Sequence, residues 1–209
     1  MFRLLRPLSV DAFHVTFTIL YLAMATVRAY YKIKARSAVR IERTAEPVAT
    51  LLRIVVGAPV FLATLTYVVH PQTVRWASFP LPPAWRWAGA VLFALALIGL
   101  VWIHAALGKN FSSTLVIRSD QTLVISGPYR YVRHPMYTDI FVMCIGMGLL
   151  AANWFIGIGG VLLIVLIVAF RIRREEAMMV QAFGDQYRDY AAVTGRFLPR
   201  MRTHSQEMI

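Results

Sequence analysis

Residues 141–170 read FVMCIGMGLLAANWFIGIGGVLLIVLIVAF and contain no charged side chain. An apolar run near ~20 residues is long enough to cross a bilayer as a helix. This run holds two, joined near Asn153: one starts after Pro135 and ends at about Ala152, the other spans about Trp154 to Phe170. So short a connection predicts a tight helical hairpin. Glycines 146, 148, 157, 159 and 160 would let its arms approach closely.

Three more apolar segments lie upstream, from about Ala12 to Tyr30, Leu51 to Val69 and Trp85 to Leu107. Composition agrees: 58% of the 209 residues are hydrophobic and 15% charged, against ~25% charged in an average soluble domain. The expected fold is therefore an all-α integral membrane protein with five transmembrane helices. A two-span region, residues 1–84, precedes a core, residues 85–209. Past Phe170 the chain turns polar but keeps a helical period. Met179, Phe183, Tyr187 and Tyr190 share one face, which predicts a C-terminal amphipathic helix continuing from the fifth span. Gly195 and Pro199 are its stop signals.

The formal charge is +12. In a soluble protein this would suggest nucleic-acid binding. Here the bases gather in the loops between apolar runs, which points to membrane topology and to no nucleic-acid partner. Lys and Arg concentrate in 28–53, in 109–133 and after Phe170, whereas Arg3, Arg6, Arg75 and Arg86 lie on the other side. This bias predicts the N-terminus outside and the C-terminus in the cytoplasm. The single cysteine, Cys144, lies in an apolar run; no zinc spacing accompanies it, and no metal is expected. The Pro- and Trp-rich loop at 70–85 suits a membrane interface.

Two polar clusters flank the hairpin. The first is GPYRYVRHPMYTD, residues 127–139. Gly127-Pro128 signals a turn. Pro135 forces His134 out of the helical region and suits a first helical turn itself. Arg133 and His134 therefore stand at the mouth of a helix N-terminus, where free N–H groups favour an anionic ligand. Arg130 and Arg133 as snorkelling cations, and Tyr129, Tyr131 and Tyr137 as belt aromatics, would be the bland alternative. The size of the cluster at membrane depth argues for function. Just upstream, residues 115–125 suggest two short extended pieces with a turn at Ser119 and Asp120.

The second cluster is FRIRREEAMMVQAFGDQYRDY, residues 170–190. Arg171 and Glu175 are four apart and share a helical face. Glu175 and Glu176 are suited to bind a ligand ammonium, to hold a sulfonium, or to fix arginines that face a substrate. Charge alone does not choose among these. No Walker loop, dinucleotide fingerprint, HExxH or serine triad stands out.

G-x-Y-x-x-x-R-H-P-x-Y, then a hairpin, then R-x-x-x-E-E and F-G-x-x-Y-x-x-Y resembles the isoprenylcysteine carboxyl methyltransferase family, a group that extends to phospholipid methyltransferases and prokaryotic homologues. The resemblance covers residues 108–199 and includes the G-x-N-F stretch at Gly108. It implies an integral-membrane enzyme that uses S-adenosylmethionine on a lipophilic acceptor arriving from the bilayer. That acceptor would be a prenylcysteine-type carboxylate, a small thiol or a lipid. Tyr129, Arg133, His134, Pro135, Tyr137 and Glu176 would bind the cofactor. Arg171 and Glu175 would be catalytic, near the reacting carboxylate, and Phe183, Gly184, Tyr187 and Tyr190 would close the site. Family members often carry glycine where this chain has Asp139. An NADPH-dependent sterol-type reductase shares a related C-terminal architecture but would need more spans. A non-enzymatic membrane scaffold would bind neither cofactor.

Overall fold

A computed structural model describes residues 11–36, 47–108 and 122–200. Its α-helices are α1 (Ala12–Arg36), α2 (Pro47–Leu52), α3 (Ala58–Val69), α4 (Pro83–Leu107), α5 (Pro135–Ala151), α6 (Trp154–Phe183) and α7 (Asp185–Val193). No sheet forms among the described residues; the extended pairings are two isolated bridges, Ser78 with Asn153 and Val132 with Gly195. Of the extended pieces expected over 115–125, residues 115–121 lie outside the described residues, and 122–125 form no strand.

Among the described residues, four helical stretches are long and apolar enough to cross a membrane: Ala12–Lys34, Pro47–Val69, Pro83–Leu107 and Trp154–Phe183. α5 is apolar but shorter, at 17 residues. Ile19, Leu62, Leu95, Ile98 and Ile158 stand exposed on the outer faces. So much outward apolar surface suits a protein whose solvent is lipid. The second stretch joins α2 to α3 through a wider-wound turn, Arg53–Gly57, where the Ala58 N–H donates to the Arg53 carbonyl. Pro59 has no N–H to continue the ordinary ladder, which accounts for the local widening.

One apolar core runs through the bundle. Phe17 of α1 is fully buried, with its ring 4.7 Å from that of Tyr67 and 6.2 Å from that of Phe93. Leu100, Met143, Leu150 and Ile156 complete the cluster. The first helix is also tied down by His14, whose Nε2 lies 3.0 Å from the Tyr67 carbonyl.

Glycine sets the spacing around α5. A Cβ on Gly146 would lie 2.7 Å from the Phe93 nitrogen in α4, and one on Gly148 would lie 2.5 Å from Gly157 Cα in α6. Between α5 and α6 the chain reverses through Ala152, in the left-handed region at φ 48°, and Asn153, which is 1% exposed. Asn153 Oδ1 accepts from the Ile156 N–H at 3.1 Å and Nδ2 donates to the Val74 carbonyl at 3.0 Å. The joint at Asn153 is thus a helix cap as well as a link. Gly148→Ala is expected to cost about 1–3 kcal/mol, because two backbones must separate to admit one methyl. Thermal unfolding in detergent, followed by circular dichroism, measures it.

The polar C-terminal helix departs from expectation in one respect. α6 runs for 30 residues to Phe183, then breaks at Gly184, whose φ is 54°. α7 restarts at Asp185 in a new direction. A side chain would resist that backbone conformation; glycine does not. The break directs Tyr187, 4% exposed, inward beneath the site.

Candidate active site

Three segments converge at the N-terminus of α5. Residues 127–130 form a 3-10 turn, opened by Gly127 at φ 60°. His134 follows with φ −124° and ψ 58°, outside the helical region as Pro135 requires, and α5 starts at Pro135. Pro135 therefore acts through the backbone, placing its neighbours at the helix mouth. Across them lies a strap, residues 194–200. The Arg133 N–H donates to the Gly195 carbonyl at 2.8 Å and the His134 N–H to the Arg196 carbonyl at 3.1 Å. Thr138 Oγ1 donates to the Phe197 carbonyl at 3.1 Å. At Gly195 the Leu198 carbonyl leaves no room for a side chain.

Glu176 is the hub that locks these segments to α6. Its Oε1 accepts from Arg133 Nη2 at 3.0 Å and from Arg196 Nε at 3.0 Å, and its Oε2 from Arg196 Nη2 at 2.5 Å. Arg133 Nη1 also donates to the carbonyls of Ala191, at 2.7 Å, and Thr194, at 2.5 Å. Of the roles open to the acid pair, Glu176 shows the third: it fixes arginines. Tyr190 adds a further tie, donating from its hydroxyl to the Tyr129 carbonyl at 2.6 Å.

Glu175 points to a different set. Arg171 Nε lies 2.9 Å from its Oε1, and the Tyr137 hydroxyl donates to the same oxygen at 2.7 Å. His134 sits between the two acids, with Nδ1 3.6 Å from Glu175 and Nε2 3.4 Å from Glu176. Its ring lies 5.9 Å from that of Tyr137 and 6.0 Å from that of Phe197. All of the polar residues expected at the site thus meet, across some 40 positions of sequence. Asp139 does not join them; it turns toward α4, with its carboxylate packed against Gly99.

Burial pushes His134 down to about 4, against the opposing pull of Glu176. The ring is therefore neutral at pH 7. Three guanidiniums, of Arg133, Arg171 and Arg196, then face two carboxylates, which leaves a net positive site. Burial also pushes the Tyr187 hydroxyl up to about 12 and raises those of Tyr129 and Tyr190, so all three remain phenols. The His134 value lies below the 6.5 of a free histidine. The unfolded chain therefore takes the proton first, and the protein is expected to lose stability as pH falls from about 6.5 to about 4. Above that window His134 contributes no pH dependence. A His134→Gln variant should show a flatter thermal midpoint across it.

Arg196, Phe197 and Thr138 belong to the site without having been expected there. Arg196 lies 20 residues from Glu176 in a stretch without helical period, so spacing carried no sign of the contact. The "RF" pair between Gly195 and Pro199 was the one available hint.

Residues 84–186 match the family model described as phospholipid methyltransferase. That segment is just under half of the chain. It contains α4, α5, α6 and the Gly184 break, and so both arms of the site; α7 beyond its first residues and the strap fall outside. Among relatives is the protein-S-isoprenylcysteine O-methyltransferase of Schizosaccharomyces pombe, 35% identical over 85 residues, which cover 40% of this chain and 36% of that one. The enzyme of the same name from Dictyostelium discoideum is 30% identical over 121 residues, 56% of this chain and 51% of that one. The cobalt-zinc-cadmium resistance protein CzcN of Cupriavidus metallidurans is 28% identical over 122 residues, 58% of this chain and 55% of that one. The chain thus spans 36% to 55% of the length of these relatives. Its fold matches that of a eukaryotic intramembrane Ras methyltransferase (isoprenylcysteine carboxyl methyltransferase), with TM-score 0.55 and 20% identity over 88% of this chain and 67% of that one. The family resemblance drawn from the RHP and acid-pair motifs is borne out.

Proposed function

We propose that the chain is an S-adenosylmethionine-dependent membrane methyltransferase acting on a lipophilic acceptor, foremost a prenylcysteine-type carboxylate. The observation that carries this is the meeting of His134 and Tyr137 with Arg171 and Glu175 inside the matched segment. The chain would cross the membrane five times, with α5 and α6 as a hairpin, the N-terminus outside and the C-terminus in the cytoplasm. Residues 85–209 would carry the chemistry, and residues 1–84 would complete the membrane body.

The residues present fit such a cofactor. Within a site of net positive charge, Glu175 and the faces of His134, Tyr137 and Phe197 would offer a sulfonium one local counter-charge and aromatic surface. The Tyr187 hydroxyl is buried beside the Arg133 guanidinium. His134, Tyr137 and Glu175 would hold the cofactor, and Arg133 with Glu176 would keep them in place. When bound, S-adenosylmethionine supplies an electrophilic methyl group on a sulfonium. A carboxylate or thiolate acceptor is already anionic or nearly so, and no strong base is needed. Neutral His134 fits that requirement. Arg171 is placed to orient an anionic acceptor, with Glu175 and Tyr137 fixing its position. The strap and α7 lie over the α5 mouth and would limit the access of water to it.

His134→Ala is expected to weaken S-adenosylmethionine binding by roughly tenfold, through lost ring contact and a loosened α5 mouth; isothermal titration measures it. The function is tested by transfer of a labelled methyl group from S-adenosylmethionine to a prenylcysteine, a small thiol and a phosphatidylethanolamine. Labelling of the prenylcysteine above the others supports the reading. Labelling of none of the three would sink it.

A further inference from the structure

A second recess adjoins the site without being part of it. A cleft of about 350 Å³ opens between the 127–130 turn, α7 and the end of the strap. Arg130 and Arg200 line it with Tyr131, Tyr190, Ile125 and Val193, and among the described residues no acidic one contributes to its walls. Arg133, His134, Glu175 and Glu176 do not line it either. Tyr190 and Thr194 form the partition: their other contacts reach the Tyr129 carbonyl and the Arg133 guanidinium.

The two cations are available for a ligand. Arg130 is exposed and makes no ion pair among the described residues. Arg200 donates one N–H to the Ala192 carbonyl, which holds the guanidinium at the rim with its other donors open. Around the cleft, Ile125, Tyr131, Val193 and Leu198 are exposed. Arg130 precedes the start of the apolar helix α5 at Pro135 by only five residues, which would put the cleft at the bilayer surface if α5 enters the membrane. Arginines beside exposed apolar and tyrosine side chains at that level match the boundary between headgroups and acyl chains.

We infer that this cleft binds the headgroup of an anionic phospholipid. The phosphate would accept from Arg130 and Arg200, whose planar forks suit it, while the upper acyl chains lie on Ile125, Val193 and Leu198. The apolar rim favours a lipid over free phosphate. A zwitterionic headgroup would bring an ammonium that meets no carboxylate in the cleft, which favours an anionic one. This inference does not depend on the methyl-transfer reading.

The test titrates delipidated full-length chain in mild detergent with phosphatidylglycerol, phosphatidylcholine or sodium phosphate, counting bound lipid by native mass spectrometry. The Arg130→Gln/Arg200→Gln double variant and Arg130→Lys are run alongside, and S-adenosylmethionine affinity is measured on each by calorimetry. Phosphatidylglycerol should bind the native chain more tightly than phosphatidylcholine and resist displacement by phosphate. The double variant should lose on the order of tenfold in phosphatidylglycerol affinity, Arg130→Lys should lose less, and cofactor affinity should stay level. Native-like phosphatidylglycerol binding by the double variant would overturn the inference. So would displacement by equimolar phosphate, which marks a free-anion site, or a parallel fall in cofactor affinity, which marks part of the cofactor pocket.

Discussion

Replacing Arg171 with alanine is expected to lower turnover roughly a hundredfold while cofactor affinity changes by less than about threefold. Arg171 forms an ion pair with Glu175, four residues on in the same helix. An ordinary pair of that kind contributes only ~0.2–0.5 kcal/mol to a helix, so its loss should not unfold the protein. Tyr137 still holds Glu175 in the variant, at 2.7 Å in the native chain. What disappears is the guanidinium fork that would align an anionic acceptor. Arg171→Lys keeps the charge but not the fork and should recover only part of the rate. Single-turnover methyl transfer beside calorimetry separates the two quantities. A variant that turns over at the native rate, or loses cofactor binding in proportion, would remove Arg171 from the acceptor side of the site.

Glu176→Gln should have its main effect on stability instead. It leaves two guanidiniums without a counter-charge: Arg133, 12% exposed at the side chain, and Arg196, 46% exposed. Stranding a buried charge costs several kcal/mol, whereas an exposed one is screened by solvent. Arg133 therefore dominates, and a loss of about 2–4 kcal/mol is expected. Arg196→Ala leaves the Arg133 contact intact and should cost less than about 1 kcal/mol. Thermal unfolding and the rate of proteolysis within 194–200 should rank the variants in that order. A Glu176→Gln protein of native stability that no longer binds S-adenosylmethionine would instead make Glu176 a ligand-facing acid.

α4, α5 and the apolar part of α6 were readable because each is an unbroken apolar run with punctuation at its ends: Pro83 and Gly108 for α4, Pro135 for α5, Asn153 for α6. Gly184 was harder to read. Phe183, Tyr187 and Tyr190 keep helical spacing on both sides of it, and periodicity is blind to a change of direction at one residue. The site was legible as two motifs because clustered cations with tyrosines, and paired acids, stand out at the ends of apolar runs. Their joining through Arg196 was not. That contact depends on a strap held by backbone hydrogen bonds to Arg133 and His134, and backbone bonds carry no side-chain signature. The packing of Phe17 on Tyr67 and Phe93 was equally hidden, since hydrophobicity places a helix in the bilayer without choosing its neighbours.

Calorimetry on the purified full-length chain tests the central claim most directly, with S-adenosylmethionine, S-adenosylhomocysteine and NADPH titrated separately. Saturable binding of the first two at one site per chain, weakened by His134→Ala, with no heat from NADPH, is the result expected. Saturable NADPH binding without either sulfur ligand, or no binding of any of the three, would contradict a methyltransferase site at the mouth of α5.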